Sequence, residues 1–100
     1  MINVLVVEDS RVIRDYLIYA LESDPEIRVS ATAVSGEEAL ARVAERRPDV
    51  ILMDVHLAGI DGIETTRRIM SSHPVPVVVC TASTEFDQVS TAMGAIPFLL

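Results

Sequence analysis

Two stretches of this chain are strongly apolar and then end in acid. Val50-Ile51-Leu52-Met53 leads into Asp54, and Ile2-Asn3-Val4-Leu5-Val6-Val7 leads into Glu8-Asp9. A third run, Val77-Val78-Val79-Cys80, ends at Thr81-Ala82-Ser83. Continuous apolar runs of this length, bounded by polar punctuation, predict strands buried on both faces of a parallel sheet. Between them the period changes from two to 3.6. Ile13, Leu17, Ala20 and Leu21, with Val12 and Tyr16 widening the stripe, predict a helix capped by Asp9 or Ser10 and running to about residue 22. Tyr16 and Tyr19 are expected to pack with their hydroxyls near the surface. Pro25, in Ser23-Asp24-Pro25-Glu26, forbids continuation of that helix.

Residues 28–34 predict a shorter strand with Val29, Ala31 and Ala33 on one face. Ser35-Gly36-Glu37-Glu38 is a capping box, with Ser at the cap and Glu three residues later. Its helix turns Ala39, Leu40, Val43 and Ala44 inward, and Arg46 and Arg47 fall in its last turn, where positive charge suits the helix dipole. Gly59 and Gly62 bracket a loop after Asp54. From Gly62 to about residue 71 a helix carries Ile63, Ile69 and Met70 as its apolar positions, with Arg67 and Arg68 in water. Pro74 and Pro76 stand at the margin of the next strand, where a missing donor is tolerated. A short helix around Val89, Ala92 and Met93 and a final strand at Ile96-Pro97-Phe98-Leu99-Leu100 complete the pattern.

The order βαβαβαβαβ, with right-handed crossovers, gives an open parallel sheet with helices on both faces. In a doubly wound sheet of order 2-1-3-4-5 the first and third strands are neighbours at the switch point, where such folds bind their ligands. Glu8, Asp9 and Asp54 then meet at one edge. Like charges brought together need a cation or a bound proton. Hard oxygen donors with room for water suit Mg²⁺, which prefers one or two carboxylates together with phosphate oxygens. The pattern therefore predicts a metal-assisted phosphoryl site with one carboxylate as nucleophile. No glycine-rich phosphate loop follows the first strand, which argues against a nucleotide-binding member of the class.

Composition narrows this further. The chain has 100 residues, half of them hydrophobic, enough for one small domain with a real core. Its charge is −7, and all eight basic residues are arginine. Nucleic acid is therefore not an expected direct partner. No apolar run approaches the length of a membrane span, and Met1-Ile2-Asn3-Val4 carries no basic leader head. Cys80, the single cysteine, is expected to be core filler, and a cytoplasmic location fits.

With the acid pair, the strand-end Asp54, the Gly59-Ile60-Asp61-Gly62 turn and the strand-end Thr81 in place, the chain resembles the receiver domains of bacterial two-component response regulators. The stretches VLVVEDSRVIRDYL, DVILMDVHLAGIDGIETTRRIM and SSHPVPVVV are similar to the receiver of chemotaxis-type protein-glutamate methylesterases. The resemblance implies a flavodoxin-like fold, with residues 1–100 as a single receiver domain truncated before its fifth helix. It implies that Asp54 accepts a phosphoryl group from the phosphohistidine of a sensor histidine kinase. Glu8, Asp9, Asp54 and the backbone carbonyl of His56 would hold Mg²⁺. Thr81 would contact the phosphoryl group and move on activation, with Phe98 at the aromatic switch position.

The module itself would not be an enzyme. It would switch a partner or output domain, such as a methylesterase. Two departures stand out: Ala58 replaces the usual Pro, and the usual Lys would fall at position 101, with no lysine anywhere in the chain. These keep open a receiver that acts only as a protein-interaction module without phosphorylation. An Mg²⁺-dependent phosphohydrolase is the third reading, weakened because His56 stands where such enzymes carry a second Asp. An uncovered sheet face would make the chain a weakly stable monomer or drive self-association.

Overall fold

In a computed structural model, described here for residues 1–81 and, as backbone, 96–99, the elements follow the expected order. They are β1 (Ile2–Val7), α1 (Arg11–Glu22), β2 (Ile27–Ala33), α2 (Gly36–Glu45), β3 (Val50–Asp54), α3 (Gly62–Ser72), β4 (Val77–Thr81) and β5 (Ile96–Leu99). The first four strands stand in the order β2-β1-β3-β4, all parallel, and the backbone of β5 runs beside β4. This is the doubly wound arrangement read from the sequence. The helix expected around Val89 lies outside the described residues.

Local chemistry sets the boundaries. Ser10 caps α1, its Oγ accepting from the Ile13 N–H at 3.4 Å, and Ser35 caps α2 by accepting from the Glu38 N–H at 3.1 Å. Asp61 does the same for α3, accepting from the Glu64 N–H at 2.8 Å. Asp49 fastens β3 to β1, because its carboxylate takes the Asn3 N–H at 2.7 Å and its own N–H donates to Asn3 O at 2.9 Å. A bulge at Ser30 shifts the β1–β2 register, so that Val4 faces Val29 while Leu5 faces Ala31.

The main core cluster lies on one face of the sheet, while Val4 and Val6 of β1 are buried on the other. Leu5 and Val7 of β1, Ile51 and Met53 of β3 and Val77 and Val79 of β4 pack with Ala39, Val43 and Ile69 from α2 and α3. The opposite face differs from expectation. β3 is not buried on both sides: Ile51 and Met53 are sealed, whereas Val50 and Leu52 are half-buried. Val50, Leu52 and Val78 border an apolar groove of ≈ 520 Å³ that Tyr16, Leu17, Ala20 and Leu21 of α1 close on the other side. The reason is placement. α1 packs against β1 and β2 and does not seal the β3–β4 part of the sheet.

Three smaller expectations change. Ala44 is exposed, because the buried stripe of α2 is Gly36, Ala39 and Val43, and a residue directly after Val43 is turned by about 100°. Arg46 is the C-cap of α2 and Arg47 lies beyond it, so Arg42 supplies the charge in the last turn. In α3 the sealed positions include Thr65 and Thr66, whose hydroxyls donate to Asp61 O and Gly62 O, each at 2.7 Å. Back-bonding to the preceding turn satisfies both hydroxyls, and only then can they be buried at low cost.

Candidate functional site

The carboxyl ends of β1 and β3 are neighbours because Val7 pairs with Met53. One residue further on each strand the side chains are acidic. Glu8, Asp9 and Asp54 each offer a carboxylate oxygen, and these oxygens lie within 4.8 Å of one another. Glu8 is buried, Asp54 half-buried and Asp9 exposed.

Each acid is fixed by the chain beside it. The Ser10 N–H donates to Glu8 Oε2 at 2.9 Å, and the Arg14 guanidinium donates to Glu8 O at 3.1 Å, which holds the turn between β1 and α1 against the first helical turns. The His56 N–H donates to Asp54 Oδ1 at 3.2 Å. Gly62 N–H donates to Val55 O at 3.0 Å, which folds the loop of residues 55–61 back on the end of β3. That return requires glycine, since a Cβ at position 62 would collide with the Asp54 carbonyl. Val55 and Leu57 are buried at the base of the loop, whereas His56 and Ala58 face water.

Burial pushes the Glu8 carboxyl up to about 7, opposed by the Ser10 N–H and reinforced by the charges of Asp54 and Asp9. Asp54 is also raised, first by burial; the His56 N–H opposes this and the Asp9 charge adds to it. One buried and one half-buried acid raised in this way carry charge that the protein compensates poorly. A divalent cation would supply the compensation, and three hard oxygen donors, one still open to water, fit Mg²⁺.

Thr81 ends β4 one residue past Cys80, the register partner of Asp54, and Phe98 pairs with Cys80 from β5. Their side chains lie outside the described residues, so the expected roles of the Thr81 hydroxyl and the Phe98 ring fall outside them too. Cys80 is buried as expected, and burial pushes its thiol up to about 11. Sequence reasoning did not find Arg14 at Glu8 O or Glu37, which reaches the loop of residues 55–61 from α2. Neither contact has a local spacing that would reveal it. Among the described residues, no helix is long and apolar enough to cross a membrane.

Comparison with known proteins agrees with this geometry. Residues 4–99 match the response regulator receiver domain. The chain is 52% identical over 96 residues to a protein-glutamate methylesterase/protein-glutamine glutaminase of Nitrosospira multiformis, and the match covers 96% of this chain and 27% of that protein. A protein of the same description from Syntrophus aciditrophicus is 52% identical over 98 residues, covering 95% of this chain and 28% of its own length. The chain thus spans under a third of the curated relatives it matches. Among solved structures, the response regulator domain of Thermotoga maritima CheB superposes with a TM-score of 0.93 at 33% identity, covering 100% of this chain and 77% of that one.

Proposed function

The chain belongs to the response regulator receiver domain family, and from that premise we propose that residues 1–100 form one phosphoacceptor switch, with Asp54 as the acceptor. The observation that carries this reading is the convergence of Glu8, Asp9 and Asp54 at the β1–β3 seam, with all three carboxylates within 4.8 Å. Glu8, Asp9, Asp54 and the His56 carbonyl would hold Mg²⁺. Bound there, the ion neutralises the acids and the oxygens of the incoming phosphoryl group.

The residues of the chain do the rest. The His56 N–H holds one Asp54 oxygen, which orients the other toward an incoming phosphorus. That oxygen attacks the phosphohistidine of a sensor histidine kinase. A P–O bond forms as the P–N bond breaks, and the imidazole leaves with the electron pair of the broken bond. Thr81 would take a phosphoryl oxygen, and Phe98 would report the change to a partner surface. The chain is then the substrate and switch of a kinase, not an esterase. Its similarity to the receivers of methylesterases supports a chemotaxis-type output domain as the regulated partner, in a cytoplasmic setting.

Incubation with a small phosphodonor and Mg²⁺ tests this. A phosphoryl adduct is expected on Asp54 by mass spectrometry, and it is absent in Asp54→Asn or with a chelator. No adduct on the parent protein, or equal labelling of the Asn variant, overturns the assignment. The former result would support a receiver used only as an interaction module.

A further inference from the structure

The loop that leaves Asp54 is held at two places. At its base, Val55 and Leu57 are buried and Gly62 returns to Val55 O. Its tip, Gly59-Ile60, is exposed to half-buried. There α2 reaches across. The Ile60 N–H donates to Glu37 Oε1 at 3.3 Å, a contact between residues 23 apart in the chain.

The surroundings are built around that contact. Gly59 adopts φ +76°, a left-handed conformation that favours glycine, and a Cβ there would stand 2.8 Å from Glu37 Oε1. Gly36, just before Glu37, is buried, and a Cβ on it would strike the Thr65 hydroxyl and stand 2.6 Å from the Ile60 side chain. The first turn of α2 is therefore pressed against both α3 and the loop tip. Hydrogen bonds from its own N–H and from Ile60, together with the charge of Arg68, hold the Glu37 carboxyl below its ordinary value.

We infer that Glu37 is a positioning residue: by holding the Ile60 N–H, it fixes the tip of the β3–α3 loop and so sets the His56 backbone and the Asp54 carboxylate. The inference deepens the phosphoacceptor reading and rests on it for its functional consequence. Glu37 does not touch the reacting atoms. It acts through the five loop residues 56–60, whose other end bonds Asp54 Oδ1.

Two variants separate the hydrogen bond from the charge. Glu37→Ala removes both, whereas Glu37→Gln loses the charge and keeps an oxygen that can accept from Ile60. Gly59→Ala attacks the same contact from the loop side, and Glu45→Ala on the far end of α2 is the control. Amide hydrogen exchange and Mg²⁺ affinity by calorimetry are measured on each. Glu37→Ala is expected to speed exchange at Ile60 and weaken Mg²⁺ binding by roughly two- to tenfold, the worth of one ordinary hydrogen bond. Glu37→Gln restores most of both, and Gly59→Ala resembles Glu37→Ala.

Unchanged exchange in Glu37→Ala overturns the inference. Faster exchange with unchanged Mg²⁺ affinity also overturns it, because Glu37 is then only a tether. If Glu37→Gln behaves like Glu37→Ala, the effect is one of charge and the hydrogen-bond account fails. If the parent protein binds no Mg²⁺ while exchange at Ile60 responds as expected, the hold on the loop stands and the reading of the acidic cluster is what fails.

Discussion

The two faces of the sheet are built from helices that look alike in sequence and end up differently. α2 and α3 each bury residues completely: Ala39 and Ile69 are 0% exposed. α1 has an equally clear apolar stripe and buries none of its residues fully, leaving Val12 80% and Tyr16 67% exposed. β3 repeats the contrast, since Ile51 and Met53 are sealed on one side while Val50 and Leu52 are half-buried on the other, whereas β1 is sealed on both. An amphipathic pattern states what a helix can bury. It does not state what the helix will meet.

The sharpest way to break this comparison is to remove the same bulk from each face. Ile69→Ala should cost about 2–5 kcal/mol, the range for emptying a sealed core position. Leu17→Ala, at the half-buried groove, should cost about 1 kcal/mol, because less apolar area returns to water. Denaturant melts check both. Equal losses would show that α1 is packed as tightly as α3 and that the contrast is false.

What the sequence made legible follows the same division. The strand ends at Glu8 and Asp54, the cap at Ser35 and the start of α3 at Gly62 depend on neighbours within a few residues, and all were readable. The order of the strands followed from general handedness rules. The burial of Thr65 and Thr66 was missed because a hydroxyl counts as polar until its local acceptor is known. The two-sided burial expected of β3 failed for a different reason: the pattern of a strand carries no information on how far a helix from another part of the chain extends over it. The Glu37–Ile60 contact was hidden in the same way, since it joins residues 23 apart that have no periodic relation.

The rim where the two faces meet allows a second, smaller test, one that acts through charge and not through packing. The Glu8 carboxyl ordinarily titrates near 4.5 and is raised to about 7 in the folded protein. Between those values the folded protein keeps a proton that the unfolded chain has lost. Metal-free stability should therefore fall as pH rises from about 4.5 to about 7 and then level off, by on the order of 1–3 kcal/mol. Asp54 shifts in the same direction and adds to the slope. Urea melts in a chelator at pH 5 and pH 8 measure it. Glu8→Gln should flatten the slope and remove any Mg²⁺ stabilisation of the fold. The gap between Ile69→Ala and Leu17→Ala should be the same at both pH values, because neither position touches the acids. A gap that changes with pH would tie the looser packing of α1 to the charge of the rim.

The smallest effect is the most specific, because its sign should differ between the faces. Ala20 is exposed and borders the groove, so Ala20→Leu has room to add apolar contact without displacing a neighbour. It should stabilise the fold by about 0.5–1 kcal/mol, the worth of partial burial of the added side chain at a site that already favours helix. The same change at Ala39, 0% exposed between α2 and the sheet, must force packed side chains aside and should be destabilising. Opposite signs for one substitution cannot come from helix propensity, which is equal at the two sites to first order. They can come only from space. If both variants lose stability, the groove beside α1 is not free volume that a side chain can enter, and the looser face owes its exposure to the direction of its side chains and not to a gap beneath them.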